Sequence, residues 1–76
     1  MLVTIAKVHE NLFSGEALSL SAKTTEGDIT VLPKHEAFVA NLVRGSVVVK
    51  TQKGQEAFEI TEGVLEVSNN QVTVLL

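Results

Sequence analysis

This chain of 76 residues has no cysteine, tryptophan or tyrosine and one proline, and its only aromatics are Phe13, Phe38 and Phe58. Without cysteine there is neither a disulfide framework nor a thiolate metal site, so packing alone must hold the core, which suits a reducing compartment without requiring one. Basic residues are also few, six against nine acidic for a formal charge of −3. With no basic cluster and no stacking aromatics, nucleic-acid binding lacks both its electrostatic footprint and its platform. The opening residues, Met1 to Val8, contain no basic segment and no sustained apolar block, so they read as a first strand and not as a signal peptide or membrane anchor. A chain this short buries only about 60 % of its unfolded surface, which allows one core and one domain, residues 1–76.

The residues that are present alternate. Val3 and Ile5 share one face of a strand over Leu2–Val8, and Gly15 is placed to turn the chain after Leu12-Phe13-Ser14. From Glu16 to Lys23, Leu18, Leu20 and Ala22 line one side while Ser19 and Ser21 line the other, the pattern of a half-buried strand. Gly27 opens a strand carrying Ile29 and Val31, and Pro33 ends it, since proline has no N–H for a ladder. The run Phe38–Val43 reads as a short strand, with a single helical turn as the competing assignment. Val47 and Val49 face the core from the next strand, Lys53-Gly54-Gln55 turns it, and Phe58 and Ile60 point inward on the return. Ser68-Asn69-Asn70-Gln71 is a turn rich in residues that tolerate left-handed backbone, ahead of a last strand, Val72–Leu76. β-branched runs punctuated every eight to twelve residues predict an all-β fold. Successive hairpins predict a mostly antiparallel meander, folded into two packed sheets to hide both apolar faces.

The catalytic inventory is poor. His9 and His35 lack neighbours at ligand spacing, so no metal site is expected. Ser14, His35 and Asp28 could form a triad only on paper, with no nucleophile-elbow glycine pattern and no helix start to make an oxyanion hole. No glycine-rich phosphate loop follows any strand, and no cofactor is expected. What stands out is the segment from Glu26 to Ala37. Its Glu26, Asp28, Lys34, His35 and Glu36 read either as a solvated edge that discourages aggregation or as a docking lip whose charges set orientation and partner choice. Leu18 and Val48, apolar where a two-faced strand would show polar residues, point to a second covered face or to ordinary surface hydrophobes.

The order of motifs adds to this reading. Phe13-Ser14-Gly15-Glu16, Thr25-Glu26-Gly27-Asp28, Val31-Leu32-Pro33-Lys34-His35, Arg44-Gly45-Ser46-Val47, Glu62-Gly63-Val64-Leu65-Glu66-Val67 and Val72-Thr73-Val74-Leu75 together resemble the epsilon subunit of rotary proton-translocating ATP synthases, over nearly the whole chain and without a gap. The resemblance implies a flattened two-sheet, mostly antiparallel β-sandwich of about eight to ten short strands. It also implies a non-catalytic central-stalk subunit that binds the gamma subunit and rests on the polar loops of the membrane rotor ring, peripheral on the cytoplasmic face of the energy-transducing membrane and not inserted in it. The family's ring-facing acidic residue and histidine fall on Asp28 and His35, with Glu26, Thr30, Lys34 and Glu36 beside them. A domain with two protein neighbours exposes docking surface, so weak self-association is expected of it in isolation.

Three departures touch local turn geometry: Thr30 stands for a usual glycine, Glu36 for an alanine, and Glu62 for the first of two glycines. The family normally continues past the position of Leu76 into a regulatory helical hairpin, so this sequence reads as a short form or as one domain of a longer protein. The alternative is a stand-alone carrier or ligand-binding β-domain with Lys53 at a hairpin tip, whose flanks lack the methionine or aspartate that usually brackets a modified lysine.

Overall fold

In a computed structural model describing residues 1–76, the alternating segments form nine strands and no helix: β1 (Leu2–Lys7), β2 (Glu10–Glu16), β3 (Ser19–Thr24), β4 (Gly27–Val31), β5 (Phe38–Leu42), β6 (Gly45–Thr51), β7 (Gly54–Ile60), β8 (Gly63–Ser68) and β9 (Gln71–Leu75). Their number matches the sequence-based expectation, and Phe38–Leu42 is a strand. Gly15 does not turn the chain. It lies within β2 opposite Val3, and the turn to β3 falls at Ala17 and Leu18.

Turn chemistry sets the hairpins. Thr24 and Thr51 use one device twice. Each threonine Oγ1 accepts from the backbone N–H two residues on, at 3.1 Å in both cases, and donates to the carbonyl of the glycine three residues on, at 2.7 Å for Gly27 and 3.4 Å for Gly54. Both glycines carry φ in the positive region, 120° and 135°, which a residue with a Cβ rarely adopts. In the β8–β9 hairpin, Asn69 and Asn70 sit at φ 52° and 59°, the two successive left-handed residues of a turn that matches strand twist.

The strands hydrogen-bond in the order β2-β1-β9-β8-β5-β3-β6-β7, with β4 on the remaining edge of β3. All pairs are antiparallel except β1 with β9, where Val3 faces Val72 and Ile5 faces Val74. The expected meander of sequential hairpins is therefore interrupted: β9 separates β1 from β8, and β5 lies between β8 and β3. Periodicity reports which face of a strand is buried and carries no information about which strand lies beside it.

The expected flattened two-sheet sandwich takes the form of a single curled sheet. One edge of β3 is shared. Ser19–Ser21 pair with β6, whereas Thr24 pairs with Leu42 of β5. The pairing thus narrows to one bridge between a β2-β1-β9-β8-β5 half and a β4-β3-β6-β7 half, and the two halves curl over a common core. Val3, Ile5, Leu20, Val47, Val49, Leu65 and Val74 are fully buried there. Leu18, expected on the buried side with Leu20, is 51 % exposed, because it precedes β3 in the turn, where its N–H donates to Lys50 O at 2.7 Å. At Gly63, opposite Leu42, an added Cβ would lie 2.8 Å from both Leu75 O and Leu76 Cδ2, so the close approach of β8 to the chain end requires glycine.

Candidate functional site

Because every strand runs the length of the domain, the connections gather at two ends. The Ala17-Leu18, Leu32–Ala37, Gln52-Lys53 and Asn69-Asn70 links lie at one end. Val8-His9, Thr25-Glu26, Val43-Arg44 and Thr61-Glu62 lie at the other. This alternation divides the residues singled out in the sequence. Glu26 is at the second end, Asp28 and Thr30 lie along β4, and Lys34, His35 and Glu36 are at the first end. The six are not one lip but a strip along the edge strand β4 and the loop after it. Asp28 and Val31 are three strand steps apart, about 10 Å, before the loop begins.

Along β4, Asp28 and Thr30 project from the outer face while Ile29 and Val31 pack inward. Lys23 stands opposite Asp28 in register. Its aliphatic stem instead lies over Gly45, where an added Cβ would approach Lys23 Cδ to 3.0 Å, and no ion pair joins it to Asp28. The Asp28 carboxylate is therefore exposed and free. Thr30 Oγ1 is 3.1 Å from Ser21 Oγ across the strand pair.

The loop end is more constrained than its polar sequence implies. His35 N–H donates to Leu32 O at 3.2 Å, closing a four-residue turn with Pro33 second and Lys34 third. Lys34 has φ 66°, the positive value that this turn type demands and that glycine or asparagine ordinarily supplies. The Lys34 N–H donates to Asn70 Oδ1 at 2.8 Å, anchoring the loop to the β8–β9 turn, a tie between residues far apart in sequence that no local pattern reveals. The His35 ring sits 5.0 Å from the Phe38 ring with Nδ1 2.9 Å from Glu36 O. Proline, a hydrogen bond and an aromatic neighbour together hold an exposed imidazole in place.

Ser14 lies on β2 in the other half of the sheet, and Asp28 and His35 are separated along β4, so the paper triad is not assembled. His9 and His35 are at opposite ends, and no three His, Asp or Glu side chains converge. Lys53 is at the tip of the β6–β7 turn, its N–H held by Thr51.

The sequence profile of the family described as "ATP synthase, Delta/Epsilon chain, beta-sandwich domain" matches residues 1–76. Among curated proteins, the ATP synthase epsilon chain of Psychrobacter arcticus is 42 % identical over 72 residues, covering 93 % of this chain and 52 % of that protein. That of Corynebacterium urealyticum is 40 % identical over 73 residues, covering 93 % and 59 %. Among solved structures, a chain of the Euglena gracilis mitochondrial ATP synthase (OSCP/F1/c-ring) superposes with a TM-score of 0.88 at 25 % identity, covering 96 % of this chain and 48 % of that one. A chain of the Tetrahymena thermophila mitochondrial ATP synthase central stalk and c-ring shares the fold, with a TM-score of 0.84 at 18 % identity, covering 97 % and 60 %. Fold and motif order together define an all-β domain of the kind that forms the β-sandwich of ATP synthase delta/epsilon chains. The chain belongs to the ATP synthase delta/epsilon β-sandwich family, and its resemblance to the epsilon subunit holds. It spans about half the length of the curated relatives it matches.

Proposed function

We propose that this domain acts as a non-catalytic rotor element of a proton-translocating ATP synthase, joining the gamma subunit to the membrane rotor ring so that proton-driven rotation reaches the catalytic head. The observation that carries the reading is the match to the family across residues 1–76, with the ordered motifs in register. On this reading the domain sits on the cytoplasmic face of the energy-transducing membrane, held there by protein contacts. No helix of the structure is long and apolar enough to cross a membrane.

The ring-side contact is assigned to the β4 strip. Asp28 supplies an exposed, unpaired carboxylate at one part of it and His35 a fixed imidazole at another, with Glu26, Thr30, Lys34 and Glu36 alongside. A partner that touches both must lie along the β4 edge, as the broad surface of a ring would, and not insert into one loop. Exposed charges of this kind set register and association rate more than affinity. Binding is measured by calorimetry with a cognate gamma subunit and with a rotor-ring preparation. Asp28→Lys and His35→Ala should each weaken ring binding, by about threefold to tenfold, and leave gamma binding unchanged. Absence of binding to both partners would reduce the family relationship to a shared fold, and loss of gamma binding in either variant would move the β4 strip to the gamma side.

A further inference from the structure

The path of paired strands begins at β2 and finishes at β7, and the curl of the sheet brings these two edges to face one another. They share no ladder. Their contact is made by two rings, Phe13 of β2 and Phe58 of β7, with centroids 6.2 Å apart at an interplanar angle of 68°, an edge-to-face pair. On either side of this contact the seam opens into a cleft. Toward the first end the cleft measures about 730 Å³, with Phe13, Gly15 and Leu18 on one wall and Lys53 and Glu56 on the other. Toward the second end it measures about 560 Å³, between Glu10 and the Glu59–Glu62 segment. These two concavities are thus the two halves of one unclosed seam.

An edge strand leaves alternate N–H and C=O groups without ladder partners, so both walls of the seam present backbone ready to pair with an added strand. The side chains restrict which strand. Glu10 and Glu16 flank β2, and Glu56, Glu59 and Glu62 flank β7, against Lys7, Lys53 and the Met1 ammonium, which lies 3.5 Å from Glu16. Like charges facing across a strand pair are destabilising. The carboxylates therefore oppose closure of β2 on β7 and oppose the β2 or β7 edge of a second copy. They favour a cationic strand. Within the first cleft, Met1, Phe13, Leu18 and Pro33 offer an apolar floor for alternate side chains.

We infer that the β2–β7 seam is a strand-addition site for an extended basic segment of a protein partner, one in which lysine or arginine alternates with apolar residues. Its backbone pairs with a free edge, its apolar side chains enter the clefts beside Phe13 and Phe58, and its cations meet the rim carboxylates. This site meets the β4 strip only at Pro33, in the loop after β4, and the inference stands whether or not the rotor reading does.

The test uses the isotope-labelled chain and a short end-blocked peptide of alternating Lys and Val, with a Glu and Val peptide as control. The expected result is that the Lys peptide shifts amide resonances of β2 and β7 and slows hydrogen exchange along at least one of these edges. The control should bind at least about tenfold more weakly, and added salt should weaken the Lys peptide, because the pairing charges are exposed. Glu10→Lys combined with Glu56→Lys, both at exposed positions, should lower affinity by about tenfold or more with the fold intact by its amide spectrum. Gly15→Leu serves as a second variant: its Cβ meets the Phe13 ring at an ordinary 3.8 Å, so it fills the first cleft without disturbing the core and should weaken the peptide too. No binding, equal binding of the acidic control, or shifts confined to the outer face around Val39, Val64 and Leu75 would each overturn the inference.

Discussion

The sheet meets itself in two places, and the two joints are made of different interactions. Where β3 meets β5, backbone holds them: Thr24 pairs with Leu42, Thr25 N–H donates to Asn41 O at 3.0 Å and Val43 N–H donates to Lys23 O at 3.1 Å. Leu42 and Thr24 are buried there, and Gly63 lets β8 approach. Where β2 meets β7 there is an aromatic contact, two clefts and a rim of carboxylates. A joint sealed by backbone bonds and a buried leucine is closed where Thr24 meets Leu42, whereas a joint of side chains alone keeps its strand edges available. The difference locates stability at one joint and recognition at the other.

Truncating the closed joint should have the largest effect. Leu42→Ala removes a side chain that is 4 % exposed and should cost about 3 kcal/mol, a large share of the about 4–11 kcal/mol expected for a domain of this length. Urea unfolding measures it, and a loss below about 1 kcal/mol would mean that backbone bonds carry the joint without the leucine. At the open joint, Phe58→Leu keeps an apolar side chain but gives up the ring pair, and should cost about 1 kcal/mol. It should also speed amide exchange along β2 and β7 while leaving β5 unchanged. Equal acceleration at both joints would erase the distinction. The smallest effect lies outside both. Lys34→Gly relieves a left-handed residue, at the expense of added freedom in the unfolded chain, and should stabilise by about 0.5 kcal/mol, read as a small rise in melting temperature. A destabilised Lys34→Gly would show that the lysine side chain itself ties the loop down.

Most of the strands were legible because alternation with period two is local: Val3 and Ile5, Val47 and Val49, and Val72 and Val74 announce a buried face wherever their strand ends up. The same logic misplaced Leu18 and Gly15. Leu18 continues the alternation of Leu20 and Ala22 but lies past the end of the ladder, and Gly15 resembles a turn residue in a position where a strand tolerates it. For the candidate site, the residue types were legible and their grouping was not. Asp28 and His35 look adjacent across a short segment, yet a strand between them carries one along the sheet edge and the other to the end of the domain. The β2–β7 seam left no mark in the sequence, since Phe58 reads only as an inward-facing residue of one hairpin and Phe13 only as a neighbour of Gly15 in another.

By itself, then, the sequence determined the all-β class, the turns beside Gly27, Gly54 and Asn69-Asn70, the inward faces of most strands, and the family. These follow from backbone preferences and side-chain period over a few residues at a time. Only the tertiary structure decided that β1 runs parallel to β9, that β5 enters between β8 and β3, and that the sheet curls until β2 faces β7. Those outcomes depend on which strands share a hydrogen-bonded edge, and many pairings bury the same alternating faces. The choice is made by packing of the whole core, where Ile5, Leu20, Leu65 and Val47 from both halves must fill one volume.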